Sequence, residues 1–150
     1  GISSYVGNVV LDHVSLSHID DDAFSSYGGG AVEIKDSVVE DVAFGDALGF
    51  YSGSLTVFGL TVKNIGFGSA LGIYGGNALV ESSNFEGGLD AGIEFYGGSF
   101  SLYDSYISGY PSGNFVSYGG VSTLDRLKIE KTDYGVSIYG GVVTLSKKFL

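Results

Sequence analysis

The pattern tyrosine-x-glycine returns seven times along this chain, at Tyr5, Tyr27, Tyr51, Tyr74, Tyr96, Tyr118 and Tyr139, at intervals of 22, 24, 23, 22, 22 and 21 residues. A fixed period of this length outranks local secondary-structure preference, because each copy must be one structural unit packed against the next. Aligned on the tyrosine, apolar residues fall into register. Val9, Leu11, Val14, Leu16 and Ile19 meet Val32, Ile34, Val39 and Val42, then Leu55, Val57, Leu60, Val62 and Ile65. Later copies keep Val80 and Phe85, then Phe100, Leu102 and Ile107, then Leu124, Leu127 and Ile129. Within each run the spacing is two, the period of a strand with one buried face, and a break of three between runs marks a bend. A third run precedes the tyrosine, as in Leu48 and Phe50, Leu71 and Ile73, Ile93 and Phe95, Phe115, and Val136 and Ile138.

Three strands of about three to five residues, with their bends, use up one repeat and leave no segment of helical length. Stacking successive coils lets each strand pair with its equivalent in the next copy, which satisfies backbone groups that an isolated coil would leave open. An antiparallel sandwich would need turns every 8–12 residues or so and would not hold this register. The expected fold class is therefore all-β: a parallel β-helix, or β-solenoid, of about seven rungs forming a single domain over residues 1–150. At this point the chain resembles the right-handed parallel β-helix family of pectate lyases, phage tailspikes and bacterial surface adhesins, from Ile2 to Leu150. That scaffold hosts enzymes, adhesins and structural proteins alike, so function has to be argued from sites.

Composition fits repeated tight turns. There are 26 glycines and one proline, without the every-third-residue glycine of collagen. Seventeen acidic against seven basic residues give a net charge of -10, a field that repels nucleic acid and anionic lipid and favours cations or basic partners. The imbalance lies in residues 1–100, with thirteen acids and two bases, against four and five in residues 101–150. No cysteine is present, so there is neither a disulfide framework nor a thiolate metal site. No run approaches the 18–20 or so apolar residues of a membrane span, and the chain opens on Gly1 without a basic-then-apolar leader, as expected of a mature or excised product. None of the five asparagines has serine or threonine two residues on, so no N-glycosylation acceptor occurs.

Alternation sends each repeat tyrosine outward, since the residue before it faces the core. Stacked about 4.8 Å apart, the seven rings form a ladder with their hydroxyls in water, and the glycines that follow form a corner. By the same alternation Tyr103, Tyr106 and Tyr110, beside Pro111, form a second outward patch. All ten tyrosines are candidates for contact with a neighbouring copy or with sugar rings. Ser25, Ser37 and Ser105 read as turn residues.

No capping segment is visible at either end, and solenoids that end without one expose core and strand edge. The chain is then either cut from a longer solenoid or paired end to end, with Lys147 and Lys148 over Asp12 and His13 of a following copy. The triplet Asp20, Asp21 and Asp22, with Asp46 or Asp41 from the next rung, could hold calcium. No other cofactor is expected. His13 and His18 are the two histidines, and a zinc site there would need a convergent third ligand. The outward column Asp12, Lys35, Phe58, Glu81, Tyr103, Asp125 never gathers three acids. Arg126, in Arg-Leu-Lys, resembles the Arg-Ile-Lys of polygalacturonases, but their Asn-Thr-Asp and Gly-His-Gly partners are missing, and no Gly-x-Ser-x-Gly elbow occurs.

These readings lead to the expectation of a non-enzymatic, extracellular, self-assembling structural protein of a cell-surface sheath, layer or filament. Its composition is similar to that of bacterial and archaeal surface-layer and sheath proteins. Its main partner would be itself, and insertion into a membrane is not expected. A polysaccharide-binding adhesin or tailspike-like fragment is the alternative, and a polysaccharide lyase or hydrolase fragment stands behind it.

Overall fold

A computed structural model describes residues 1–146 and contains twenty strands and no helix, hence no helix long and apolar enough to cross a membrane. The strands form three parallel sheets of seven, seven and six strands, each strand pairing with its equivalent one repeat away. The first sheet stacks Ile2–Ser4, Phe24–Ser26, Leu48–Phe50, Leu71–Ile73, Ala91–Phe95, Gly113–Ser117 and Val136–Ile138, and each repeat tyrosine follows it. The second begins with Val9–Asp12 and ends with Val142–Ser146, while the third runs from Ser15–Ile19 to Lys128–Glu130. This is a β-solenoid of about seven rungs with three strands per rung, consistent with a right-handed parallel β-helix.

Register puts like on like. Ile34, Val57, Val80, Leu102 and Leu124 form one core column, and Leu71, Ile93 and Phe115 belong to another. Where a column changes size, a neighbour compensates: Phe100 lies between Ala78 and Ser122, and its ring meets Phe95 and Phe115 at centroid distances of 5.8 and 6.0 Å. The outward column from Asp12 through Lys35, Phe58, Glu81 and Tyr103 to Asp125 is also in register.

The coil closes because residues with left-handed backbone fall in columns. At the bend between second and third sheets these are His13, Asp36, Gly59, Ser82, Asp104 and Arg126, with φ from 43° to 69°. Near the end of the third sheet they are His18, Asp41, Asn64, Gly87, Gly109 and Lys131. Short polar residues and glycine tolerate this region best, and they hold most of these places. Ser37 and Ser105 sit at the first bend as expected, each hydroxyl donating to the carbonyl two residues back. Ser25 departs from expectation: it is buried inside the strand Phe24–Ser26, not in a turn.

A second departure is Tyr110, which is fully buried instead of facing outward. Strict alternation from Ile107 sends it out, but Gly109 is left-handed (φ 81°) and resets the parity. Tyr110 thus continues the core column of Ile19, Val42 and Ile65. That column then meets Gly88, and the Tyr110 ring fills the space left there, since a Cβ on Gly88 would stand 2.6 Å from Tyr110 Cε1. Buried Asn114 fixes the surrounding loop. Its Nδ2 donates to the Ile107 and Glu130 carbonyls, and its Oδ1 accepts from the Tyr110 amide.

Candidate functional site, a tyrosine spine over a carboxylate row

Because Ser26, Phe50, Ile73, Phe95 and Ser117, each the strand residue before a repeat tyrosine, are buried, the tyrosine that follows leaves the first sheet on its outer side. All seven rings meet in sequence, with centroids 5.3, 4.6, 4.5, 4.9, 4.8 and 5.4 Å apart and planes within 8–23° of parallel. Each ring therefore gives both faces to its neighbours, except the outer faces of Tyr5 and Tyr139. The Tyr51 and Tyr74 rings also lean back over the sheet. Gly49 and Gly72 make this possible, for a Cβ on Gly72 would lie 3.1 Å from Tyr74 Cε2 and 2.5 Å from Asp46 Oδ2.

This leaning corrects one expectation. The Tyr74 hydroxyl is not left to water but donates to Asp46 Oδ2 at 3.1 Å. Asp46 Oδ1 accepts from the Ser69 amide at 2.8 Å, and the Ser69 hydroxyl donates to Glu94 Oε2 at 2.6 Å. Asp22 precedes Asp46 in the row: its Oδ1 accepts from the Asp46 amide and its Oδ2 from the Ser25 hydroxyl. Ser25, Asp22, Asp46, Ser69 and Glu94 are thereby linked beneath the central tyrosines.

Burial pushes the Asp46 carboxyl up to about 6, and the negative charges of Asp22 and Glu94 add to the effect, while the Ser69 amide and the Tyr74 hydroxyl oppose it. The Tyr74 hydroxyl is raised, first by burial and then by Asp46, and Tyr96 is pushed up to about 12 by burial and then Glu94. Tyr74 and Tyr96 consequently stay neutral, while the Asp46 carboxyl beneath them is held near 6.

The remaining expected residues fall elsewhere. Asp20 and Asp21 are exposed, and Asp41 faces His18 Nε2 at 3.7 Å and Asn64 Nδ2 at 3.2 Å. Among the described residues no three of Asp20, Asp21, Asp22 and Asp46 bring ligand oxygens within 4.8 Å of one another, and Asp22 and Asp46 accept hydrogen bonds from amides and hydroxyls. Comparisons with protein-family models, curated proteins and solved structures gave no match. The assignment of a role therefore rests on the sequence and the geometry.

Tyr103 and Tyr106 are half-buried, each beneath a cation from the next rung, Arg126 at 5.8 Å and Lys128 at 5.3 Å from the ring centroid. Tyr106 also donates to Glu130 at 2.5 Å. Arg126 grips Asp104 with two hydrogen bonds of 2.6 and 2.9 Å and also contacts Asp125, so its guanidinium is committed to the preceding rung and to its own. Asp12 and His13 are exposed and hydrogen-bonded to each other at 2.5 Å, whereas Lys147 and Lys148 lie outside the described residues.

Sequence reasoning passed over one surface feature. Phe44 and Phe67 are 68% and 66% exposed and stack at 5.9 Å, followed in the same column by Leu89. A groove of about 520 Å³ lined by Asn64, Gly66, Gly87 and Leu89 runs beside them. The signal was present, since both phenylalanines precede a glycine at one position of the repeat, 23 residues apart.

Proposed function

We propose that this chain is a structural β-solenoid that self-associates in an extracellular sheath, layer or filament. The observation that carries this reading is the unbroken tyrosine spine, whose ring faces are consumed by one another. A sugar ring stacks on an open aromatic face, and in the spine such faces remain only at Tyr5 and Tyr139. Arrangement of this kind favours a longitudinal brace over a glycan track. The repeat architecture and the composition rich in glycine, tyrosine and aspartate support a cell-surface setting.

Side-to-side association has a natural surface in Phe44, Phe67 and Leu89, since exposed apolar columns on a rigid face mark contacts. Electron microscopy and light scattering of the purified chain test the reading. Ordered assemblies that disperse on Phe67→Asp support it. Single rods at every concentration would sink it, and saturable polysaccharide binding lost in Tyr96→Ala would transfer the role to glycan attachment.

A further inference from the structure

We propose that Asp12, His13 and Asp36 form a binding site for a divalent transition ion of the zinc class. The repeat itself assembles the three ligands. Asp12 ends the strand Val9–Asp12, His13 follows at the left-handed position of the bend, and Asp36 occupies the equivalent position one rung later. One ligand atom from each, an imidazole nitrogen and two carboxylate oxygens, lies within 4.8 Å of the other two. The histidine is joined by carboxylates from both its own rung and the next.

Apart from the hydrogen bond that Asp12 and His13 share, which an entering ion would replace, the surroundings keep these groups available. All three residues are exposed. Lys35, the neighbour of Asp12 in the register, directs its ammonium to Glu33 rather than to the aspartate. Gly59, next in the column after Asp36, leaves room for that carboxylate, since a Cβ there would stand 2.5 Å from Asp36 Oδ1. The net charge of -10 draws cations toward the molecule.

Donor chemistry selects the ion. Calcium gathers about six to eight oxygens, more than two aspartates supply, whereas a nitrogen with carboxylate oxygens suits zinc, cobalt or nickel. Three protein ligands leave further positions to water. Asp12 and His13 belong to the first rung and Asp36 to the second, so the ion would clip together two rungs, the first of which only partly buries Val9, Leu11, Leu16 and Ile19. This inference is independent of the scaffold role and its failure would leave that role untouched.

The test uses the whole chain, stripped with EDTA and titrated with zinc by calorimetry and with cobalt(II) by proton NMR. The sequence holds two histidines, so their ring signals are easily told apart, and His18, beside Asp41, serves as the internal control. One equivalent of zinc should bind, cobalt should broaden His13 ahead of His18, and Asp36→Asn and His13→Gln should each weaken zinc roughly tenfold or more. Asp41→Asn should leave zinc affinity unchanged. No saturable zinc binding, equal broadening of both histidines, full affinity in Asp36→Asn with native circular dichroism, or calcium bound as tightly as zinc would each overturn the proposal.

Discussion

Asp46 is the side chain on which local charge and fold stability meet most directly. Its carboxyl titrates near 6 in the folded chain, against about 3.9 when unfolded. A raised carboxyl favours the folded state while it is protonated, so this contribution is complete below about pH 4 and is lost as pH rises through about 6. Asp46→Asn removes the dependence and keeps an acceptor for the Ser69 amide. Denaturant melts of both chains should show the wild type losing about 2 kcal/mol relative to the variant between pH 4 and pH 6. Parallel curves across that range would show that Asp46 is not held in a desolvated position. Tyr110 offers a second single-residue measurement. Its hydroxyl is buried without a hydrogen-bond partner among the described residues, while its ring fills the space above Gly88. Tyr110→Phe should be neutral or stabilising by up to about 1 kcal/mol, and Tyr110→Ala should cost about 3–5 kcal/mol. A Tyr110→Phe loss as large as that of the alanine variant would mean that the hydroxyl has a partner after all.

Between residue and rod stands the rung, and its corners decide whether the chain can coil. Gly76 follows Tyr74 with φ 83°, and a Cβ there would lie 2.6 Å from the Gly53 carbonyl oxygen of the rung below. Gly29, in the longer Tyr27 corner, has a φ outside the left-handed region and nothing within 4 Å of a built Cβ. Gly76→Ala is therefore expected to cost about 2 kcal/mol or more, while Gly29→Ala stays within about 0.5 kcal/mol, read from midpoints of thermal or denaturant unfolding. Equal losses would show that the corner is set by composition, not by conformation. Corners also explain what the sequence could and could not disclose. The strands and core columns were legible because apolar residues fill most places in each column, Ile34, Val57 and Val80 being the plainest case. Tyr110 was misread because alternation does not survive a left-handed residue, although its place after Ile19, Val42 and Ile65 held the correct answer. The carboxylate row was half legible: Asp22 and Asp46 stood out as acids, but the bond from Tyr74 to Asp46 depends on a ring lying down over Gly72, which no pattern of apolar spacing encodes. Asp36 was missed as a partner of His13 because they are close only through pairing of rungs 23 residues apart.

At the scale of the whole molecule, each rung touches only its neighbours, so energy should pass along the rod as a chain of nearest-neighbour terms. The spine makes this measurable. Tyr51 and Tyr74 stack at 4.5 Å with planes 8° apart, whereas Tyr51 and Tyr118 are separated by the rings of Tyr74 and Tyr96, about 14 Å at one strand spacing per rung. A double-mutant cycle on Tyr51→Ala and Tyr74→Ala should give a coupling of about 0.5–1.5 kcal/mol, the value of a stacked aromatic pair beyond its buried area. The cycle on Tyr51→Ala and Tyr118→Ala should be additive within about 0.5 kcal/mol, because no atom of one ring touches the other. The prediction separates two pictures of the brace. If stacking acts pair by pair, coupling vanishes beyond the adjacent rung and the rod can be lengthened or shortened without altering its local stability. If the distant pair couples as strongly as the adjacent one, the seven rings melt as a unit and the solenoid has to be treated as a single cooperative body.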